Sequence, residues 1–185
     1  VQAISPITSK VEMDETLLHV VQKLNASSTY RKLFSKAFGD STITGQRLLL
    51  AITQFVVQIN SFNSRYDRYL RKEKGYEFTP QEVNGLKLFR KHCAACHTEP
   101  LFTNGAFENN GLGADFLLKD AGRMKITNLP ADSLKFKVPA LRNSQQTYPH
   151  LHDGRFKTLQ EVVDHYTNGI QHSTILSEKL AEPIV

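Results

Sequence analysis

Residues 79–97 read T-P-Q-E-V-N-G-L-K-L-F-R-K-H-C-A-A-C-H. The first four residues are a helix start. Thr79 can accept from a backbone N–H, Pro80 suits the first helical position, and Glu82 completes a capping box. The helix they open carries Val83, Leu86, Leu88 and Phe89, and runs straight into Cys93, Cys96 and His97. Two thiols three apart followed at once by His is the spacing for covalent haem attachment. The thiols of Cys93 and Cys96 reach the two vinyl groups of one porphyrin as thioethers, and His97 then lies under the iron as its axial ligand. Two other chemistries use a Cys-x-x-Cys. A structural zinc site wants four N or S ligands, and these are the chain's two cysteines. A thioredoxin-type pair belongs beside a βαβ pattern, which the sequence lacks.

Working outward, the pattern is helical with long loops. Upstream, residues 14–25 place Leu17, Val20, Val21 and Leu24 at helical spacing, with Asp14 as the expected N-cap. Residues 30–38 put Tyr30, Leu33, Phe34, Ala37 and Phe38 on one face, stopped by Gly39. Thr44 opens a long helix to about Asn60, and residues 61–78 read as a short helical turn and then a linker broken at Gly75. Downstream, residues 98–157 hold five Gly and four Pro. So long an irregular stretch is unusual inside a compact domain, unless the loops wrap a large non-protein group. Thr158 and Glu161 repeat the capping-box spacing, so a last helix is expected from Leu159 to Thr167, ending near Gly169. No strand pair and no internal repeat is evident.

Composition narrows the classes. The chain has 185 residues, 40% of them hydrophobic and 22% charged, with a formal net charge of +5. That excludes a disordered chain, and no apolar run approaches the roughly 20 residues of a membrane span. Basic residues are scattered among acidic ones without a recognition motif, which argues against nucleic acid and suits a docking face for an acidic partner. For the sixth iron ligand the residues leave several donors open: Met13, Met124, His150, His152, His165, His172 and Tyr166.

Seven segments together resemble the bacterial di-haem cytochrome c peroxidases and the MauG-type enzymes grouped with them. They are P-I-x-x-x-x-E-M from Pro6, Y-x-x-L-F-x-x-A-F-G-D at 30–40 and S-x-Y-D-R-Y-L at 64–70. G-L-x-L-F-x-x-x-C-A-A-C-H-T-E-P-L-F-T follows from Gly85 and F-K-V-P-A-L-R-N from Phe136. H-D-G-R-F-x-T-L-x-E-V-V-D-H-Y runs from His152, and N-G-I from Asn168. The resemblance implies an all-α fold of two cytochrome c-like helical domains with long loops and one haem c in each. One haem reacts with hydrogen peroxide. The other takes electrons from a small periplasmic donor protein of cytochrome c or cupredoxin type.

With a single C-x-x-C-H here, the resemblance implies a chain truncated at both ends. Residues 1–72 would be the rear of the peroxidatic domain and residues 73–185 most of the second haem domain. Gln2, Pro6 and Glu12 match the residues lining the peroxidatic pocket, with Glu12 in the proton-moving position. Read without the family, Glu12 would be a carboxylate in a helix N-terminus. Tyr166, fourteen residues after His152, stands where Met-ligated members carry Met and MauG-type members carry Tyr. The resemblance therefore implies iron held by His97 and Tyr166. It also implies a calcium ion held partly by the backbone carbonyls of Thr147 and Pro149, and it leaves room for a homodimer.

Overall fold

The computed structural model describes residues 2–115 and 117–181. The chain packs as two compact units divided between Phe62 and Asn63. In the first, helices α1 (Ser5–Thr8), α2 (Leu17–Ala26), α3 (Ser28–Phe38) and α4 (Gly45–Gln58) follow one another, with α2 packed on both α3 and α4. The start of α2 differs from the sequence expectation. Thr16, extended, caps it by accepting from His19 N–H at 3.1 Å, whereas Asp14 has a left-handed φ of 45° and lies outside the helix. Thr44 caps α4, and Gly39, at φ 87°, ends α3 in the left-handed conformation that glycine adopts at low cost. Asn25 ties the end of α2 to the next loop, donating to Val21 O and to Ile43 O at 3.0 and 2.9 Å. Ile7, Phe34, Ile43 and Leu48 form the buried core, while Phe55 and Val57 on α4 and Ile59 just after it are exposed.

The second unit begins with α5 (Arg65–Leu70), capped by a full Ser64–Asp67 box. Asp67 on α5 is held by Arg142 in the following loops, so α5 packs with this unit. Next, α6 (Pro80–His92) carries the Thr79–Glu82 capping box read from the sequence. The irregular region holds more order than expected. Strands β1 (Phe107–Glu108) and β2 (Phe136–Lys137) pair antiparallel, and a short α7 (Met124–Thr127) lies between them. With two residues each, the strands are too short to show alternation in sequence. Finally α8 (Leu159–Asp164), with its Thr158–Glu161 box, passes directly into a π-helical turn over His165–Gly169.

Among the described residues no helix is long and apolar enough to cross a membrane. Among the described residues the second unit buries Leu112 and Val138 as hydrophobic side chains.

Candidate haem-attachment site

The end of α6 makes the site. Cys93 N–H donates to Phe89 O at 2.7 Å, still helical in character. The chain then tightens, so that Cys93 O accepts from Cys96 N–H at 3.2 Å and from His97 N–H at 2.9 Å. Both cysteines are free and half-buried, and burial pushes both thiols up. Arg90, Lys91 and His92 occupy the last turn of α6, where cations complement the helix dipole.

The ring of His97 is oriented from behind. Its Nδ1 lies 3.0 Å from Phe102 O and 3.1 Å from Pro139 O. Both partners are carbonyls, so Nδ1 carries the proton and Nε2 presents its lone pair. That is how metal-ligating imidazoles are held. The two carbonyls come from segments far apart in sequence. Thr103 Oγ1 joins them by donating to Val138 O at 2.6 Å, and Val138 N–H donates to Ala106 O beside β1. Phe102 itself has a left-handed φ of 57°, a costly conformation for a bulky residue. Its ring is fixed edge-on by Tyr66 and Phe89, with centroids 5.0 and 5.5 Å away. Tyr66 donates to Glu99, which also takes a forked contact from Arg90 at 2.8 and 3.0 Å. Burial first and Glu99 second push the Tyr66 phenol up to about 12.

Of the other proposed iron donors, Tyr166 lies within electrostatic range of Cys96 and Cys93. Burial is the larger cause and holds the phenol neutral, partly offset by the Asn110 side chain. A bound cation reverses such a shift by stabilising the phenolate. Tyr166 sits in the π-helical turn, a local widening that often marks functional positions. His165, its neighbour, is buried, and its Nε2 lies 3.0 Å from Asn110 O, so that ring is committed to a structural hydrogen bond. His152 stacks on Phe136 at 3.7 Å, Met124 opens α7, and Met13 is exposed.

The donor chemistry fits haem c. Two half-buried thiols and one imidazole with a free Nε2 stand at one helix end. Zinc and dithiol readings fit less well. Among the described residues no cluster of three or more His, Cys, Asp or Glu side chains could hold a metal ion, and the sheet is a lone antiparallel pair.

The remaining sequence-derived residues lie elsewhere. Gln2 is exposed in the turn before α1, and Pro6 stands second in α1. The chain then folds back, with Met13 N–H donating to Pro6 O at 3.3 Å and Glu15 N–H to Ile7 O at 2.9 Å. Glu12 is exposed in that turn, outside any helix, so the helix-dipole account of it does not apply. It is Glu15 that is tied up locally, by Lys23, Thr16 N–H and His19, which hold its carboxyl down to about 2. Thr147 and Pro149 are exposed, and Thr147 N–H donates to Ser144 O. Reading the sequence did not single out Phe102, Pro139, Arg142 or Asp67. Only Asp67 carries a local signal, the S-x-x-D spacing after Ser64.

Helix content, the long loops that follow α6 and the thiol–imidazole turn at its end define a cytochrome c-like helical fold. Along most of its length the chain is similar to di-haem cytochrome c peroxidases and MauG proteins. Residues 1–75 match the family described as "Di-haem cytochrome c peroxidase". Cytochrome c551 peroxidase of Nitrosomonas europaea is 35% identical over 167 residues, covering 88% of this chain and 49% of that protein. Methylamine utilization protein MauG of Methylophilus methylotrophus is 32% identical over 181 residues, covering 94% and 52%. The chain thus spans about half the length of the curated relatives it matches. Among solved structures, a MauG-like protein associated with microbial copper homeostasis superposes with a TM-score of 0.83 at 27% identity, over 100% of this chain and 63% of that one. The diheme peroxidase BthA of Burkholderia thailandensis shares the fold, with a TM-score of 0.69 at 24% identity.

Proposed function

We propose that this chain serves a periplasmic di-haem peroxidase that reduces hydrogen peroxide to water with electrons from a small donor protein of cytochrome c or cupredoxin type. In this reading residues 73–185 belong to the second haem domain and residues 1–72 to the rear of the peroxidatic one. The observation that carries it is the posture of His97, directly after two free thiols, with Nδ1 tied to two carbonyls and Nε2 left as a ligand. Cys93 and Cys96 would anchor the porphyrin, and His97 and Tyr166 would be the residues that hold its iron. Haem c supplies one-electron redox chemistry when bound. The protein's part is to hold the imidazole in one tautomer, and Glu12's part is to carry a proton. Cleaving peroxide yields water only when a proton reaches the departing oxygen. Carbonyls of Thr147 and Pro149 would give a calcium ion part of its oxygen shell, the rest coming from elsewhere.

A second reading, a MauG-type oxidase acting on a protein side chain, is favoured by one feature, Tyr166. An anionic oxygen ligand stabilises ferric and higher iron, as Tyr does in catalase, which suits storing oxidising equivalents better than receiving electrons. The test is a peroxide assay on the protein encoded by the full reading frame, with reduced donor cytochrome. Turnover that disappears in Glu12→Gln with haem content unchanged supports the peroxidase. Absence of donor oxidation by peroxide in the wild-type holoprotein rejects it. These 185 residues carry one C-x-x-C-H, and alone they are expected to turn over no peroxide.

A further inference from the structure

The two carbonyls that accept from His97 Nδ1 belong to separate segments, and one side chain grips both. Arg142 stands three residues after Pro139 and donates to Pro100 O, two residues before Phe102, from Nη2 at 2.7 Å and from Nε at 3.2 Å. Its guanidinium also lies 5.3 Å from the centroid of the Phe102 ring. The other side of the fork is bidentate on Asp67, with Nη1 to Oδ2 at 2.9 Å and Nη2 to Oδ1 at 2.8 Å. Asp67 cannot drift. It is 7% exposed, and its Oδ2 also accepts from Ser64 N–H at 2.8 Å and Ser64 Oγ–H at 2.6 Å. The pair therefore clamps α5, the loop holding Phe102 in its left-handed conformation and the Pro139 segment into one frame. That frame sets where both acceptors of His97 sit.

We infer that Arg142, backed by Asp67, is a positioning residue that sets the strength of the His97 Nδ1–H hydrogen bond and, through Nε2, the reduction potential of the iron. The inference rests on the haem reading above. A firmly held Nδ1–H···O=C makes Nε2 a stronger donor, which favours ferric over ferrous iron. Loosening the frame weakens the donor and raises the potential. Lysine cannot substitute, because a point charge cannot serve two Asp67 oxygens and Pro100 O in one plane.

The test uses holoprotein matured with covalent haem, comparing wild type with Arg142→Lys, Asp67→Asn and Leu112→Ala. Leu112 is a buried residue of the same unit and controls for general loosening. Arg142→Lys and Asp67→Asn are each expected to raise the midpoint potential and lower the ferrous iron–histidine stretching frequency, and Leu112→Ala to change neither. Wild-type potential and frequency in both charge variants would overturn the inference, as would an equal shift in Leu112→Ala. Failure of the haem reading would look different: wild-type chain carrying no covalent haem.

Discussion

Replacing Asp67 by Ala tests the second unit at a largely buried ion pair. Side-chain exposure is 15% for Arg142 and 7% for Asp67, so the truncation strands a guanidinium away from most solvent. Breaking a buried pair from one side costs about 3–5 kcal/mol. Arg142 keeps Pro100 O as a partner, which argues for the lower end of that range. The Ser64 capping box is lost as well, adding about 1 kcal/mol. The expected cost is therefore about 4 kcal/mol. The assay is urea unfolding followed by far-UV ellipticity, run as a cycle with Arg142→Met. The double variant should be more stable than the summed singles predict, by about 2 kcal/mol, because no charge is left unpaired. A cost below about 1 kcal/mol for Asp67→Ala, or an additive cycle, would refute the claim that this pair holds the frame.

The same pair gives a pH signature. Arg142 chiefly, with Ser64, holds the Asp67 carboxyl well below the usual carboxylate range. Its contribution is thus complete above the unfolded value of about 4 and is lost as pH falls below it, so wild type should lose stability in acid more steeply than Asp67→Asn. Thr79→Ala removes the hydroxyl that accepts from Glu82 N–H at 3.2 Å and should cost about 1 kcal/mol in thermal or urea unfolding; no measurable change would mean the cap is idle. Gly122 and Gly75 both have positive φ, but an added Cβ at Gly122 would meet Lys135 O at 2.5 Å and at Gly75 meets nothing. Gly122→Ala should therefore cost about 1–3 kcal/mol more than Gly75→Ala, and equal costs would contradict the close approach. In ferric holoprotein, Tyr166→Phe should abolish phenolate-to-iron charge-transfer absorption, and an unchanged spectrum would remove Tyr166 from the iron.

What was legible in the sequence was local. Thr79–Glu82 and Thr158–Glu161 each sit within one helical turn, so the cap and its partner appear in the same four letters, and the same holds for Cys93, Cys96 and His97. The expected cap at Asp14 failed by two residues because two hydrogen-bonding side chains compete there; Thr16 has the extended backbone a cap needs, and Asp14 does not. The β1–β2 pair has too few residues to show a period of two. The residues that orient His97 were hidden for a deeper reason. Its acceptors are backbone carbonyls, which no residue type announces, and Arg142 acquires its role from Asp67, 75 positions away. Helix α5 is the short helical turn expected within residues 61–78, although its capping box was not read from the sequence.

The most direct measurement is the intact mass of the chain produced in a periplasm with c-type haem maturation, taken together with its pyridine haemochrome spectrum. The account predicts one covalent haem per chain with the spectrum of a doubly thioether-linked porphyrin, lost when Cys93 and Cys96 are both replaced by Ala. Folded chain at its bare polypeptide mass, under conditions that mature another c-type cytochrome in the same cells, would contradict it.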